Sequence, residues 1–247
     1  MKIDKESLNK EQYEKLYEYK YEQKAFEVLS KTIIFQKLFK PINIKNRKVL
    51  EIGFGSGNLI KTLVNKGCRY YGMEISQSAV ITAKGKYKYQ IEVSLIEKNQ
   101  IPYDDEFFDL IIMSHSLEHI KDEEKILEES KRTLKKDGLL IIGVPAPEAV
   151  ENKLHFRTYT PEDFKRIAKK LCLQVVQVKS FRQIKLLERI FEALPQRKNT
   201  IQKKITATKI FYYYIISPVI SYLYSFNIGR GRYVEHWVVL KNSPIIK

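Results

Sequence analysis

Three glycines at alternate positions, Gly53, Gly55 and Gly57, follow the short apolar run Lys48-Val-Leu-Glu-Ile52. Glycine suits a turn whose backbone takes positive φ or must touch a ligand with no Cβ in the way. Glu51 precedes the turn, and Glu74 closes a second apolar run, Tyr70-Tyr-Gly-Met73. A carboxylate about 20 residues past such a turn can accept hydrogen bonds from both hydroxyls of a ribose. The spacing is G-x-G-x-G, and Asn58 stands where a dinucleotide turn has its third glycine. A pyrophosphate seated on the helix N-terminus needs that third glycine. The Glu51 carboxylate would also repel a pyrophosphate, whereas it would welcome an ammonium. These residues therefore favour a ligand that joins a ribose to an amino-acid tail over a dinucleotide.

Such residues need strands and helices to hold them. Leu59, Ile60, Leu63 and Val64 recur at helical spacing, with Gly67 as a stop. Further strands are expected over Ile91–Ile96, Leu110–Met113 and Leu139–Val144, with a helix from about Asp122. Thr160-Pro-Glu-Asp163 reads as a capped helix start, and Phe164, Ile167, Ala168 and Leu171 give that helix an apolar face. A sixth strand, Leu173–Val178, follows it. Strand and helix patterns alternate from Val49 to Val144, as a parallel sheet covered on both faces requires.

At this point the chain resembles the class I S-adenosylmethionine-dependent methyltransferases, in particular their small-molecule "methyltransferase domain 11" branch. The family's first motif reads E/D-x-G-x-G-x-G, matched by Glu51 to Gly57. Its "L-P-F-x-D-x-x-F-D" segment is similar to Ile101-Pro-Tyr-Asp-Asp-Glu-Phe-Phe-Asp109, and its "L-E-H-I/V" stretch to Leu117-Glu-His-Ile120. Leu134-Lys-Lys-Asp-Gly138 matches the ending "L-K-x-G-G", with Asp137 where Gly is common. The resemblance covers about Phe26 to Lys179. It implies an α/β fold: a Rossmann-like, doubly wound, seven-stranded sheet of order 3-2-1-4-5-7-6, strand 7 antiparallel, with helices on both faces. It implies S-adenosyl-L-methionine as cofactor, held by Glu51, Gly53, Gly55, Gly57, Glu74, Ile75, Glu97, Lys98 and Ser114. Glu97 stands at the family's adenine-contacting acidic position, where Asp is usual. The loop 145–159 then helps to form the acceptor pocket, with His155 and Tyr159 lining it.

The sulfonium of that cofactor makes its methyl carbon electrophilic. The protein must chiefly hold the acceptor in line and exclude water. An oxygen or nitrogen acceptor needs its proton removed, and His115, directly after the fourth strand, is the best placed of the four histidines for this. His155 ranks second. His119 reads as structural, and His236 lies inside the last strand. No metal centre is expected. Cys68 and Cys172 are too few and too far apart for a metal knuckle and fit a reducing compartment.

Four regions follow: N-terminal helices over residues 1–40 that cover the cofactor, a cofactor-binding core over 41–180, an insertion over 181–232, and the last strand and tail over 233–247. The insertion is unusual. It begins with Ile184, Leu187, Ile190 and Leu194 interleaved with Arg182, Lys185, Arg189 and Arg197. It ends in an uncharged, tyrosine-rich run from Ile210 to Ile228. That run is long enough to span a bilayer. A single crossing, however, would strand the last strand on the wrong side of the membrane. A lid or homodimer surface, an in-plane membrane-surface element, or an insertion that merely packs on the domain fits better. The net charge of +15 is spread along the chain rather than blocked. AT-rich coding accounts for it better than a specific anionic partner does. A nucleic-acid substrate is disfavoured, because Ser114-His-Ser-Leu117 has neither the proline nor the aromatic residue that base-nitrogen methylation uses. The expected partner is a small-molecule or lipid-linked acceptor. The start of the chain has no secretory pattern, so the expected location is cytoplasmic, including the inner membrane face. Two alternatives stay open: a non-catalytic S-adenosylmethionine-binding or membrane-associated scaffold protein, and an RNA methyltransferase.

Overall fold

The computed structural model describes residues 10–12, 14, 42–147, 154–182 and 233–243. The insertion at 183–232 and nearly all of the N-terminal region lie outside the described residues, and with them the lid, dimer and membrane-surface expectations. Among the described residues, no helix is long and apolar enough to cross a membrane.

The elements are β1 (Lys48–Ile52), α1 (Ile60–Asn65), β2 (Arg69–Glu74), α2 (Gln77–Tyr87), β3 (Ile91–Leu95), β4 (Phe108–Ser114), α3 (Glu123–Thr133), β5 (Leu134–Pro145), α4 (Pro161–Lys170), β6 (Gln174–Arg182) and β7 (Tyr233–Lys241). They build one seven-stranded sheet of order β3-β2-β1-β4-β5-β7-β6. The first five strands pair in parallel, and β7 runs antiparallel between β5 and β6. The fold is the Rossmann-like one that the resemblance implies. The strand order reverses between β1 and β4, and a ligand crevice opens where it does so, at the carboxyl ends of the strands.

Apolar residues alternate between the two faces because successive strand side chains point to opposite sides. On β4, Leu110 and Ile112 join one core while Ile111 and Met113 join the other. On β7, Trp237 and Val239 face the first core, and Val238 and Leu240 the second. The first core is roofed by Ile60 and Leu63 of α1 and by Ala79, Val80 and Ala83 of α2. The second is roofed by Ile126 and Leu127 of α3 and by Phe164 and Ala168 of α4.

Two details differ from the sequence pattern. β5 starts at Leu134, ahead of the expected Leu139. Leu134 pairs with Phe108 and Leu139 with Leu110, and Lys135–Gly138 bulges between these pairings, with Asp137 at φ 63°. The start of α4 is capped as expected: the Thr160 N–H and hydroxyl both donate to the Asp163 carboxylate at 2.7 Å. The sixth strand reaches on to Arg182, since antiparallel pairing with β7 carries it past Val178.

Candidate functional site

The glycine turn leaves the tip of β1 with Gly53, Gly55 and Gly57 all at positive φ, from 54° to 76°. A Cβ on Gly53 would stand 2.5 Å from the Cβ of Ser116, so the turn lies directly on the segment after β4. Ser116 fastens it from that side, its hydroxyl donating to the Ile52 carbonyl at 2.7 Å.

Glu74, at the tip of β2, closes the turn from the other side. One carboxylate oxygen accepts from Gly55 N–H at 2.8 Å. The other accepts from Ile75 N–H at 2.7 Å and Ser76 N–H at 3.2 Å. Burial pushes the Glu74 pKa up, and the backbone donors pull against that rise. Glu51 is buried beneath the turn, where the Tyr70 hydroxyl donates to it at 2.7 Å. Burial and that nearby carboxylate push the Tyr70 phenol far above its usual range, so it stays a donor. Ser56, on the turn itself, has a buried hydroxyl with no hydrogen-bond partner among the described residues. Three glycines at alternate positions of the turn, two buried carboxylates and an orphaned hydroxyl form a cradle that fits a ribose and an ammonium.

After β3, Glu97 and Lys98 are exposed, at a two-residue turn in which Lys98 and Asn99 both take positive φ and Gln100 N–H donates to the Glu97 carbonyl. Arg132 of α3 pins the following segment, donating to the carbonyls of Ile101 and Tyr103 at 2.9 Å each. Glu14, from the N-terminal region, accepts from the Ser78 N–H and hydroxyl at the first turn of α2. This brings an N-terminal residue beside the Glu74 side of the crevice.

A second constellation gathers at the tips of β4, β5 and β7. Ser114 ends β4, half-buried. His115 then turns out of the strand at φ 55°, its N–H donating to the Gly143 carbonyl on β5. Its ring meets Trp237 edge-on, with centroids 6.0 Å apart. His115 Nε2 lies 3.3 Å from Glu235 on β7, within ion-pair range, but among the described residues it makes no hydrogen bond of full geometry. Trp237 Nε1 donates to the same Glu235 carboxylate at 2.8 Å. His115 Nδ1 and His119 Nε2 each stand 3.9 Å from the buried carboxylate of Glu118.

The loop over 154–159 is fastened to this corner. Phe156 N–H donates to the Glu118 carbonyl, and Arg157 donates to the Lys121 carbonyl and pairs with Glu123 at 2.7 Å. His155 thereby packs against His119, ring centroids 4.7 Å apart. Burial lowers both imidazoles, His119 to about 4, so both are neutral at pH 7. Tyr159 is buried on Phe164, and its hydroxyl bonds Glu123. Its ring belongs to the second core.

The structure thus brings Glu51, the three glycines, Glu74, Ile75 and Ser114 around one crevice mouth, and His115 and His155 to its β4–β5 side. Glu118, from the Leu117–Ile120 stretch, and Glu235 and Trp237 of β7 complete that side. Glu235 and Trp237 meet His115 only through strand pairing, so no local spacing marks them. Glu235 had one available signal, being the lone acidic residue of the last strand.

A methyltransferase-domain family model matches residues 50–142. An uncharacterised protein of Methanocaldococcus jannaschii is 28% identical over 156 residues, covering 62% of this chain and 73% of its own. A ubiquinone biosynthesis O-methyltransferase of Glaesserella parasuis is 30% identical over 129 residues, 42% of this chain and 55% of the relative. A sarcosine/dimethylglycine N-methyltransferase of Halorhodospira halochloris is 30% identical over 133 residues, 48% of each chain. The chain therefore spans about half the length of these two named relatives. Among solved structures, a SAM-dependent methyltransferase of Archaeoglobus fulgidus superposes with TM-score 0.59 at 18% identity, over 86% of this chain and 94% of that one. The [4+2]-cyclase SpnF superposes with TM-score 0.60 at 12% identity, over 86% of this chain and 81% of that one. One fold therefore carries more than one chemistry, and the site must decide between them.

Proposed function

The chain belongs by domain match and fold to the class I S-adenosylmethionine-dependent methyltransferases, and from that premise we propose that it transfers a methyl group from S-adenosylmethionine to a small or lipid-like acceptor. The observation that carries this reading is the glycine turn hydrogen-bonded to the buried Glu74, with Glu51 buried beneath it. When bound, S-adenosylmethionine supplies an electrophilic methyl on a sulfonium, so the protein need contribute no covalent chemistry. Glu74 would hold the ribose hydroxyls, Glu51 the ammonium, and the bare backbone of Gly53 to Gly57 would admit both. Glu97 and Lys98 would flank the adenine from the turn after β3.

His115 would take the proton from an oxygen or nitrogen acceptor. Its ring stands at the crevice, and Glu235 at 3.3 Å can steady the charge the ring acquires. His155 would contact the acceptor from the facing loop. The relatives include an O-methyltransferase and an N-methyltransferase of small molecules, which supports a small acceptor and leaves its reacting atom open. The basic, aromatic composition of 181–232 supports a lipid-like one. The buried, preformed character of the cradle favours turnover over a scaffold role.

The test is transfer of labelled methyl from S-adenosylmethionine into fractionated lipid, glycan and RNA pools of a cell extract. Label in a lipid or small-molecule fraction, with S-adenosylhomocysteine accumulating, supports the reading. Label in RNA with steep salt dependence would replace the acceptor class. Tight cofactor binding with no label in any pool would make the protein a binding scaffold.

A further inference from the structure

We propose that Glu118, His119 and His155 form a binding site for one divalent transition-metal cation, of the kind that two imidazoles and one carboxylate select, such as Zn²⁺ or Mn²⁺. One ligand atom from each of the three residues can be chosen so that all lie within 4.8 Å of one another. Donors around a tetrahedral zinc at about 2.1 Å stand about 3.4 Å apart, so modest side-chain rotation closes the set. The donors come from two segments that the fold has already locked together. The Phe156 N–H holds the Glu118 carbonyl at 2.9 Å, and the Leu154 carbonyl hydrogen-bonds the His119 ring. A backbone carbonyl on a ligating imidazole is the usual outer support that fixes its tautomer and orientation.

The electrostatics agree with the geometry. Glu118 is 1% exposed, a carboxylate taken out of water. A buried carboxylate needs positive charge or strong donors beside it. Neutral imidazole and ionised carboxylate are the forms that bind a metal. No thiolate contributes, since Cys68 and Cys172 are both free and stand elsewhere. Nitrogen and oxygen donors together point to borderline cations rather than to calcium.

The inference rests on ligand geometry and not on methyl transfer. Three protein donors leave a position for water or for an acceptor oxygen, whose proton a bound cation would make easier to remove. That consequence, unlike the site itself, depends on the proposed activity.

The experiment uses the full chain, stripped with a chelator and titrated calorimetrically with Zn²⁺ and with Mn²⁺ in the absence of cofactor. One equivalent of at least one of the two should bind. His155→Ala should weaken that binding by at least about 10-fold while the circular dichroism stays native, and Glu118→Gln should do the same. The double variant Cys68→Ser/Cys172→Ser should bind as the native protein does. Co²⁺ added to the stripped protein should give a visible absorption band that His155→Ala loses. If Glu118→Gln does not fold, the His155 variant decides, because its side chain is only half-buried on a loop. Absence of stoichiometric uptake, unchanged affinity in His155→Ala, or loss of binding in the cysteine variant would each overturn the site. Metal bound in full with no methyl transfer in any pool would leave the site standing and remove only the proposed reaction.

Discussion

The two sides of the crevice differ in how their polar groups are satisfied. On the β1–β2 side, every carboxylate oxygen of Glu74 already holds a backbone N–H, and the Ser116 hydroxyl closes the turn onto Ile52. On the β4–β7 side, His115 and His119 stand 3.3 to 3.9 Å from the Glu118 and Glu235 carboxylates, at ion-pair distances, and Glu235 also accepts from Trp237 Nε1 at 2.8 Å. The first side is organised before any ligand arrives, as a binding site should be. The second keeps proton-accepting nitrogens facing carboxylates, as a reacting site should. On the proposed reading, binding and chemistry fall to different strand tips, and that division can be broken by mutation.

The largest effect is expected at His115. His115→Gln keeps the size and polarity of the side chain and removes the base, so kcat for an oxygen or nitrogen acceptor should fall about 10²-fold or more. Cofactor affinity, read by calorimetry, should stay within error. Equal losses in both would show that the two sides are one unit. Gly143→Ala tests the packing beneath the same corner. A Cβ there would stand 2.5 Å from ring carbons of Trp237, which is fully buried. Overpacking of that kind should cost about 2–3 kcal/mol, seen as a lower urea midpoint with unchanged slope. A shift of only a few tenths would mean that β7 gives way easily and does not anchor Glu235.

The same division explains what could be read from the sequence. The β1–β2 side is local: the turn and Glu74 lie within one strand–helix–strand unit, and glycine spacing announces it. Alternating apolar runs imply a parallel sheet covered on both faces, while its strand order is what the family resemblance implies. The β4–β7 side is assembled from residues at 115–119, 155 and 235, joined only by strand pairing and a loop clasp. Period and spacing carry no information across such distances. His119 accordingly reads as a structural residue of its motif, whereas the fold sets it against His155 and Glu118. Tyr159 shows the reverse. Its place on the pocket loop suggests a pocket residue, yet its ring is core and its hydroxyl is bound to Glu123.

Glu74→Ala sharpens the comparison from the binding side. It removes the acceptor for three backbone donors and for the ribose, so affinity for S-adenosylhomocysteine should drop by about 2 kcal/mol, roughly 30-fold. Turnover at saturating cofactor should change far less than in His115→Gln. If instead kcat collapses while affinity holds, the roles of the two sides are reversed.

The smallest effect is expected at the far end of the sheet, where Asp109 starts β4 and touches neither side of the crevice. It accepts from Lys48 N–H at 2.9 Å, from Lys135 at 3.0 Å and from Arg47 at 3.3 Å. Burial works to raise its pKa, but these donors and charges together outweigh burial and hold it below the usual carboxylate range. A carboxylate with a depressed folded pKa stabilises the protein fully above its unfolded pKa, about 3.9, and loses that contribution as pH falls through the lower folded value. Arg47 and Lys135 are partly in water, which screens the pairs. Asp109→Asn should therefore cost only about 1 kcal/mol at pH 7, and native and variant stabilities should converge below about pH 4. Neither cofactor affinity nor metal uptake should move. A loss that persists undiminished at pH 3 would mean that the asparagine disturbs packing, and that charge pairing does not explain this corner.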